Sequence, residues 1–210
     1  MTFPKFPKIP RFNREVVITE KIDGTNGLIY ISDPYGGNTL LSNPPVVIES
    51  DGFQIAAGSH RRWIYPAMDN HGFAKWVFDN ADELVKLGPG LHYGEWWGSG
   101  INRGYGFTRN EHFFSLFNVS RWNGETLGDI DVPNLTAVPI LRNGSAAYLE
   151  SMIEEELDHL RAHGSIAAPG FMRPEGIVIY HTAGNHLYKV TLEGDDLPKS
   201  LSQQRRLDAA

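Results

Sequence analysis

Short segments rich in β-branched and aromatic residues cover most of this chain, and this pattern constrains its fold more than any other feature. Such segments are typical of strands, and they lie at residues 15–20, 27–32, 52–58, 90–97, 112–119, 176–182 and 186–192. Apolar residues at helical spacing predict a long helix over residues 146–163 and shorter helical pieces over 72–87. Because helices do not alternate with strands one for one, we predict an α+β fold with antiparallel sheets.

The composition is that of an ordinary globular protein and excludes several classes. The chain has 210 residues, of which 41% are hydrophobic, which suffices for one domain with a sizeable core. Because it contains no cysteine, a disulfide scaffold, a zinc ribbon and a thiol nucleophile are excluded. No apolar run reaches about 18 residues, and the N-terminus lacks the apolar region of a signal peptide. We therefore expect a soluble protein of the cytoplasm.

Residues 1–14 are basic. They contain Lys5, Lys8, Arg11 and Arg14 but no acidic residue, and their three prolines exclude a regular helix. We predict an extended basic arm, which is either a solvated tail or a segment that contacts phosphates. The net charge of −6 argues against a protein that holds nucleic acid mainly through bulk positive charge.

The segment TEKIDGTNG, residues 19–27, carries the most chemical information. Thr19, Lys21 and Asp23 would project to the same side of an extended chain, just before a turn at Gly24. A lysine amine is a nucleophile when it is neutral, and a partly buried position near another cation favours that form. The segment by itself indicates either a nucleophilic lysine or a surface Lys-Asp pair before a β-turn.

Two other patterns lack the residues that their chemistry needs. His159 and His163 are four residues apart on the predicted helix, but no glutamate follows the first histidine, so we interpret them as a solvated helix face. The glycine-rich segment 98–106 contains neither a dinucleotide fingerprint nor a P-loop. We expect a plain loop there.

KIDGTN, with Lys21 first, resembles the nucleotidyltransferase signature of the covalent ATP-dependent ligases and mRNA capping enzymes. Further segments resemble the other motifs of that superfamily in the same order, and the series extends to Thr191. They are GSHRRW (58–63), HYGEWWG (92–98), FFSLFNV (113–119), EGIV (175–178) and LYKVT (187–191).

Asn26 refines this resemblance. DNA ligases and capping enzymes usually have arginine at this position, whereas the RNA ligases of the phage RNA-repair type have asparagine. The segments FPKIPR and GEWWGSGINRGYG also resemble that group. The chain is therefore similar to an ATP-dependent RNA ligase, and the resemblance implies a phage-like origin.

The resemblance implies a particular domain organisation. We expect residues 15–193 to form a nucleotidyltransferase domain of twisted antiparallel sheets with flanking helices, which binds the nucleotide in the cleft between the sheets. The basic arm 1–14 would precede it and a tail over residues 194–210 would follow it, with no OB-fold domain. A monomer is the default expectation.

The resemblance also implies catalytic and metal-binding roles. Lys21 would attack the α-phosphorus of ATP and hold AMP as a phosphoramidate, while Asp23 and Lys189 would assist. Glu175 would bind Mg²⁺ or Mn²⁺, and Asp23 would reach the metal through water.

A further set of residues would bind the nucleotide. Glu95 would accept hydrogen bonds from the ribose hydroxyls, Gly94 would allow the nucleotide to approach closely, and Phe117 would stack on adenine. The full nucleotide-binding set is Glu20, Ile22, Asn26, Arg61, Arg62, Glu95, Phe117, Glu175 and Lys189.

Two positions depart from the family pattern. In GSHRRW, His60 fills the place where the family arginine often stands, so either Arg61 or Arg62 substitutes, with a slight preference for Arg62. The last motif usually carries two lysines two residues apart, but here Thr191 occupies the second place after Lys189. We expect this change to weaken the binding of the ATP phosphates.

The implied reaction has three steps: adenylylation of Lys21, transfer of AMP to a 5′-phosphate RNA end, and sealing by a 3′-hydroxyl. The alternatives are a minimal ATP-dependent DNA nick ligase, against which Asn26 argues, and a nucleotide- or RNA-binding protein that has lost ligase activity. The cations that could contact RNA are Lys5, Lys8, Arg11, Arg14, Arg61, Arg62, Arg103 and Arg109.

Overall fold

The computed structural model describes residues 4–33, 44, 46–108 and 110–193. The predicted tail, residues 194–210, and Arg109 lie outside these described residues. The chain forms two compact units, a terminal unit of Met1–Lys21 with Pro139–Ala210 and a central unit of Ile22–Val138. Each unit has its own sheet and its own apolar core.

Strands outnumber helices in the described part of the chain. In chain order the elements are β1 (Glu15–Lys21), β2 (Thr25–Ile31), β3 (Ile48–Ser50), β4 (Phe53–Ser59), β5 (Trp63–Ile64), α1 (Phe73–Asp79), α2 (Ala81–Leu84), β6 (Gly90–Gly98), β7 (His112–Leu116), β8 (Leu135–Ala137), β9 (Ile140–Ser145), α3 (Leu149–His163), β10 (Gly176–His181) and β11 (His186–Thr191). Single 3₁₀ turns cover Val85–Leu87, Gly104–Gly106 and Ala146–Tyr148.

The terminal unit is a sheet with one helix packed on it. Its described strands lie in the order β11-β10-β1-β9, and all neighbours are antiparallel. Val16 and Ile18 of β1 are buried in one core cluster with Leu157 and Leu160 of α3. Since side chains alternate along a strand, Lys21 lies on the opposite face of the sheet from Val16 and Ile18.

The central unit is a larger sheet with short helices. Its strands lie in the order β3-β4-β2-β6-β7-β8, with β5 paired to β4, and among the described strands β7 and β8 are the parallel pair. Aromatic rings fill much of the core: Phe73 and Trp76 of α1 pack with Trp96 and Phe114, with ring centroids 4.9 to 6.0 Å apart. This packing fixes β6 and β7, which carry two of the sequence motifs.

The prediction of an α+β fold with antiparallel sheets is confirmed. The helix expected over residues 146–163 forms as a 3₁₀ turn followed by α3. β9 was not predicted, because its sequence ILRNGS contains the Asn-Gly pair that is typical of turns. Gly144 suits this strand because a Cβ there would lie 2.5 Å from the sulfur of Met152 in α3. Among the described residues, every helix is too short or too polar to cross a bilayer.

A buried histidine should make the stability of the central unit depend on pH. His92 in β6 is 3% exposed, and its Nε2 donates to the carbonyl oxygen of Gly88 at 2.8 Å. Burial lowers the pKa of His92 to about 4, whereas an unfolded histidine has a pKa of about 6.5. The unfolded state therefore binds the proton first as the pH falls, and we expect up to about 3 kcal/mol of stability to be lost between these two pKa values.

Urea unfolding at a series of pH values checks this prediction against His92→Gln, which keeps a side-chain donor but does not titrate. The difference in unfolding free energy between the two proteins should shrink as the pH falls from about 6.5 to about 4. Parallel curves for the two proteins would contradict it. Other titrating groups act on both proteins and cancel in the difference.

Candidate functional site

Lys21 is the last residue of β1 and forms an ion pair at the sheet end. Its Nζ lies 2.7 Å from Oε2 of Glu175, and the two side chains are 23% and 14% exposed. The antiparallel register pairs Lys21 with Gly176, the first residue of β10, so Glu175 arrives beside the end of β1. The backbone oxygen of Glu175 also accepts a hydrogen bond from the N–H of Leu192. The sheet register thus brings together two residues 154 positions apart.

Position 176, the first residue of β10, requires glycine. Its φ is +153°, and a Cβ at this position would collide with the backbone oxygen of Val190 in β11. Only glycine therefore allows β11 to pair closely with β10 directly after Glu175. This explains the glycine of EGIV in structural terms.

The sheet places Lys189 on the same face as Lys21. Lys21 pairs with Gly176, which pairs with Thr191, and in the next row Thr19 pairs with Val178, which pairs with Lys189. Side chains of directly paired residues project to the same face. Lys189 is exposed and Thr191 is 5% exposed. The face of the sheet away from α3 therefore carries Lys21 and an exposed second lysine.

Glu20, next to Lys21, faces the other way. It is 1% exposed, and its carboxylate accepts hydrogen bonds from the Ser165 hydroxyl at 2.5 Å and from the N–H groups of Ile166 and Ala167, both at 2.8 Å. Burial raises the pKa of the Glu20 carboxyl above its usual range, against the lowering effect of these bonds. The side chain thus ties the loop after α3 to the strand that ends in Lys21.

We expect Glu20→Ala to destabilise the terminal unit by about 3 kcal/mol, because three buried donors lose their acceptor. Urea unfolding measures this change. Glu15→Ala, at the exposed start of the same strand, is the control and should change the unfolding free energy by less than about 0.5 kcal/mol. Equal stability of Glu20→Ala and the wild type would show that the three hydrogen bonds contribute nothing.

In the central unit, Asp23 is held by the loop after β6. Its N–H donates to the hydroxyl of Tyr105 at 2.7 Å. One carboxylate oxygen accepts from Nδ2 of Asn102 and the other from Nε of Arg103, both at 3.0 Å. Arg103 is therefore ion-paired to Asp23, and its assignment as a candidate RNA-contacting cation stays a prediction.

The glycine-rich loop over residues 98–106 is consequently more than a plain connection. Asn102 and Tyr105 have positive φ values of 45° and 50°, and the Tyr105 ring packs edge-on against Trp97 at 4.9 Å. This conformation directs both side chains to the Asp23 turn. This supporting role was not predicted, because the loop matches no phosphate-binding fingerprint. The signal present was its polar residues, Asn102, Arg103 and Tyr105, between glycines.

Glu95 of β6 holds the rest of the KIDGTN turn. Its Oε1 accepts from the N–H of Gly24 at 3.0 Å, and its Oε2 lies 3.4 Å from Nδ2 of Asn26. Glu95 is 8% exposed, while Asn26 is exposed. β2 and β6 pair Asn26 directly with Glu95. Two of the sequence motifs thus meet through one carboxylate.

Gly94 packs against β7, and the expectation that it lets the nucleotide approach closely is wrong. A Cβ at Gly94 would lie 2.6 Å from the backbone oxygen of Ser115 and 2.7 Å from the ring of Phe114. The space beside Gly94 is therefore filled by β7. We conclude that this glycine permits close strand and ring packing rather than close approach of a nucleotide.

The remaining predicted residues of the central unit differ in exposure. Phe117 directly follows β7 and is 40% exposed, with its N–H bonded to the backbone oxygen of Tyr93. An exposed aromatic side chain at a strand end is available for stacking, unlike a core phenylalanine. Arg61 and Arg62 are both exposed in the turn between β4 and β5. Ile22 is buried, with 4% of the whole residue exposed.

A divalent cation fits the donor chemistry only in part. Glu175 offers a hard carboxylate oxygen, and Mg²⁺ commonly uses one or two carboxylates together with substrate phosphates. In the described part of the chain, no three His, Asp or Glu side chains converge as a metal site. These residues therefore fit a magnesium site in which substrate phosphates supply some of the ligands, rather than a site built from protein ligands alone.

Comparison with known proteins gives one family and one fold. A family model described as RNA ligase matches residues 14–191. No curated protein matches the chain. Solved structures of the RNA ligase of Naegleria gruberi superpose on this chain. One of them, a variant with ATP and Mn, gives a TM-score of 0.55 at 15% sequence identity, and the match covers 92% of this chain and 52% of the other.

Two further structures of the Naegleria enzyme agree. The enzyme with PPi gives a TM-score of 0.55 at 16% identity, over 93% of this chain and 52% of the other. A variant with AMP and Mn gives a TM-score of 0.53 at 14% identity, over 93% of this chain and 53% of the other. The chain thus spans about half the length of the structures it matches. Identities this low establish a shared fold, and the predicted nucleotidyltransferase-type α+β fold is confirmed.

Proposed function

The chain belongs to the RNA ligase family, and we propose that it joins RNA ends through a covalent lysyl-AMP formed from ATP at Lys21. The observation that carries this proposal is the placement of Lys21. Its amine is partly exposed at a strand end, 2.7 Å from the Glu175 carboxylate, on the sheet face that also carries Lys189. The resemblance of KIDGTN to the ligase signature assigns the nucleophile to this same residue.

In the first step, Nζ of Lys21 would attack the α-phosphorus of ATP. A P–N bond forms, the bond from the α-phosphorus to the bridging oxygen breaks, and pyrophosphate leaves. The amine must shed its proton before it attacks, and Glu175 is the carboxylate placed within hydrogen-bond distance to receive it. Splitting ligation through a covalent intermediate replaces one difficult step by easier ones.

Charge neutralisation would come from the cationic groups that the family motifs supply. Phosphoryl-type transfer depends mostly on positioning and on electrostatic stabilisation of the phosphate oxygens. Lys189 is exposed on the face that carries Lys21, and we assign it to the α-phosphate. Glu175, assisted by Asp23 through water, would hold Mg²⁺ or Mn²⁺, and the bound ion would offset phosphate charge.

We assign recognition of the nucleoside to residues of the central unit. Glu95 would accept hydrogen bonds from the ribose hydroxyls, and the exposed ring of Phe117 would stack on adenine. Asn26 and either Arg61 or Arg62 would contact phosphates or the RNA end. Ile22 would line the nucleotide site from its buried position, and Glu20 would act as a positioning residue because its carboxylate is engaged by the loop 165–167.

In the later steps, AMP would pass from Lys21 to a 5′-phosphate RNA end, and a 3′-hydroxyl would displace AMP to seal the strand. Residues 15–193 would form the nucleotidyltransferase domain, preceded by the arm 1–14. The cytoplasmic location, the phage-like origin, the role in RNA repair and the monomeric state remain predictions from the sequence.

Incubation with labelled ATP and magnesium, followed by denaturing electrophoresis, tests the first step. Label in the α-phosphate should stay on the protein, whereas label in the γ-phosphate should leave as pyrophosphate. Sealing of nicked RNA compared with nicked DNA then separates an RNA ligase from a DNA nick ligase. A wild-type protein that gains no label from ATP, GTP or NAD with either Mg²⁺ or Mn²⁺ would overturn the proposal.

A further inference from the structure

The N-terminal arm has a three-residue repeat. Each repeat begins with a cation and continues with a large apolar residue, and the first two end in proline. The repeats are Lys5-Phe6-Pro7, Lys8-Ile9-Pro10 and Arg11-Phe12-Asn13. A three-residue period matches the polyproline II helix, which has three residues per turn.

The backbone chemistry of the arm favours that helix. Proline fixes φ near −65°, and a residue before proline is pushed to extended conformations. Phe6 and Ile9 each precede a proline, and over the described residues of the arm none has a positive φ. In such a helix Lys5, Lys8 and Arg11 form one ridge with about 9 Å between successive residues, and the apolar side chains form a second ridge.

Both ridges are exposed. Phe6, Ile9 and Phe12 are 83%, 75% and 64% exposed, which is unusual for large apolar side chains. Across the part of the chain that the structure describes, the cations of the arm form no ion pair. The exposed cations Lys75, Lys86 and Arg161, in contrast, are each paired with a carboxylate.

The arm is fixed to the terminal unit at its C-terminal end. Nδ1 of His181 accepts a hydrogen bond from the N–H of Gly184, so Nε2 carries the proton and donates to the backbone oxygen of Phe12 at 2.7 Å. The Phe12 ring stacks on His181 at 5.8 Å, and the backbone oxygen of Arg14 accepts from Ala146. The ridges therefore project from an anchored base.

We propose that residues 4–14 bind single-stranded RNA, with Lys5, Lys8 and Arg11 on successive phosphates and Phe6 and Ile9 against bases. Cations that follow the backbone, together with aromatic faces on which bases stack, are the combination that binds single strands, and Phe6 supplies such a face. The charge is complementary because the arm is purely cationic, whereas the whole chain carries −6. This inference rests on the proposed function, and it assigns the RNA-binding surface that the ATP-binding residues do not supply.

The first test measures binding of a fluorescent single-stranded oligouridylate as the salt concentration rises. We expect the Lys5→Ser, Lys8→Ser, Arg11→Ser triple variant to bind about tenfold more weakly, and its log–log salt slope to fall by about 2, since each single-strand phosphate contact contributes about 0.7. The matched control replaces Lys75, Lys86 and Arg161 by serine, which removes the same net charge. It should keep the wild-type slope.

The second test removes the apolar ridge and keeps the charge. Phe6→Ala with Ile9→Ala should weaken RNA binding by about fivefold or more with an unchanged salt slope, because stacking does not release counterions. Tyr148→Ala, at a residue 70% exposed on the terminal unit, is the control and should bind like the wild type.

The outcomes separate this inference from the proposed function. The triple arm variant should acquire AMP from ATP at the wild-type rate, because that step needs no RNA. If the triple arm variant and the triple control variant lose RNA affinity equally, bulk charge explains the binding and the inference is overturned. Wild-type RNA affinity of the triple arm variant would also overturn it. If the wild type binds oligouridylate through the arm but acquires no AMP, the proposed function fails and the arm assignment stands.

Discussion

The Lys21→Arg variant should acquire no AMP from ATP while remaining as stable as the wild type. Arginine keeps a positive charge beside Glu175 and so preserves the ion pair that Lys21 forms at 2.7 Å. A guanidinium group stays protonated at any accessible pH and cannot act as a nucleophile. We expect the labelling rate to fall by about 10⁴-fold or more, as when a covalent nucleophile is removed.

Two other variants define what this result means. Lys21→Ala should also lose labelling, but it removes the ion pair between Lys21 and Glu175 and should be less stable than Lys21→Arg. Lys75→Arg, at an exposed position of α1 paired with Asp79, should label at the wild-type rate. If Lys21→Arg labels normally, another residue is the nucleophile and the assignment from the ligase signature is wrong.

The second large effect is expected for Glu175→Gln. Glutamine has nearly the same shape, but it carries no charge to balance Lys21, cannot take a proton from Nζ, and is a poorer ligand for a divalent cation. Loss of preorganised electrostatic stabilisation of this kind commonly costs about 10² to 10³ in rate. We expect the rate of AMP acquisition to fall by that factor.

The controls for Glu175→Gln separate chemistry from folding. Glu154→Gln removes one carboxylate from the exposed face of α3 and should label like the wild type. Urea unfolding should show that Glu175→Gln is still almost entirely folded under the labelling conditions. Its slow labelling then cannot be explained by misfolding. Wild-type labelling by Glu175→Gln would remove this residue from both the proton-accepting and the metal-binding role.

The sequence predicted the part of the candidate site that depends on local pattern. A β-branched segment over residues 15–20, just before Lys21, and another beginning after Glu175 predict two strands, and antiparallel pairing then brings the two side chains together. Register within such a sheet follows from which face is buried. The apolar residues Val16, Ile18, Ile177 and Ile179 specify that face, and Lys21 and Lys189 consequently share the other one.

Contacts that depend on the conformation of distant loops could not be predicted. The carboxylate of Glu20 is bound by residues 165–167, some 145 positions away, and no local pattern connects the two. Asp23 is held by Asn102, Arg103 and Tyr105 because two of these residues adopt positive φ values, which non-glycine residues rarely do. A sequence rule that assigns positive φ to glycine misses such a loop.

Burial was the other property that the sequence did not settle. The expected stacking of Phe117 on adenine needs an exposed ring, which the sequence does not establish, and the structure leaves this residue 40% exposed. Gly94 fitted a close approach to a ligand, but the ring of Phe114 fills that space. In both cases the neighbouring strand decides the environment, and the identity of that strand is a property of the tertiary fold.

Peptide mass spectrometry after incubation with ATP and magnesium tests the central claim most directly. Digestion under alkaline conditions preserves a phosphoramidate bond, so the attached group can be assigned to one residue. We predict a single adenylyl group on the ε-nitrogen of Lys21, released when pyrophosphate is added. An adenylyl group on any other residue, or a protein that remains unmodified, would contradict the account.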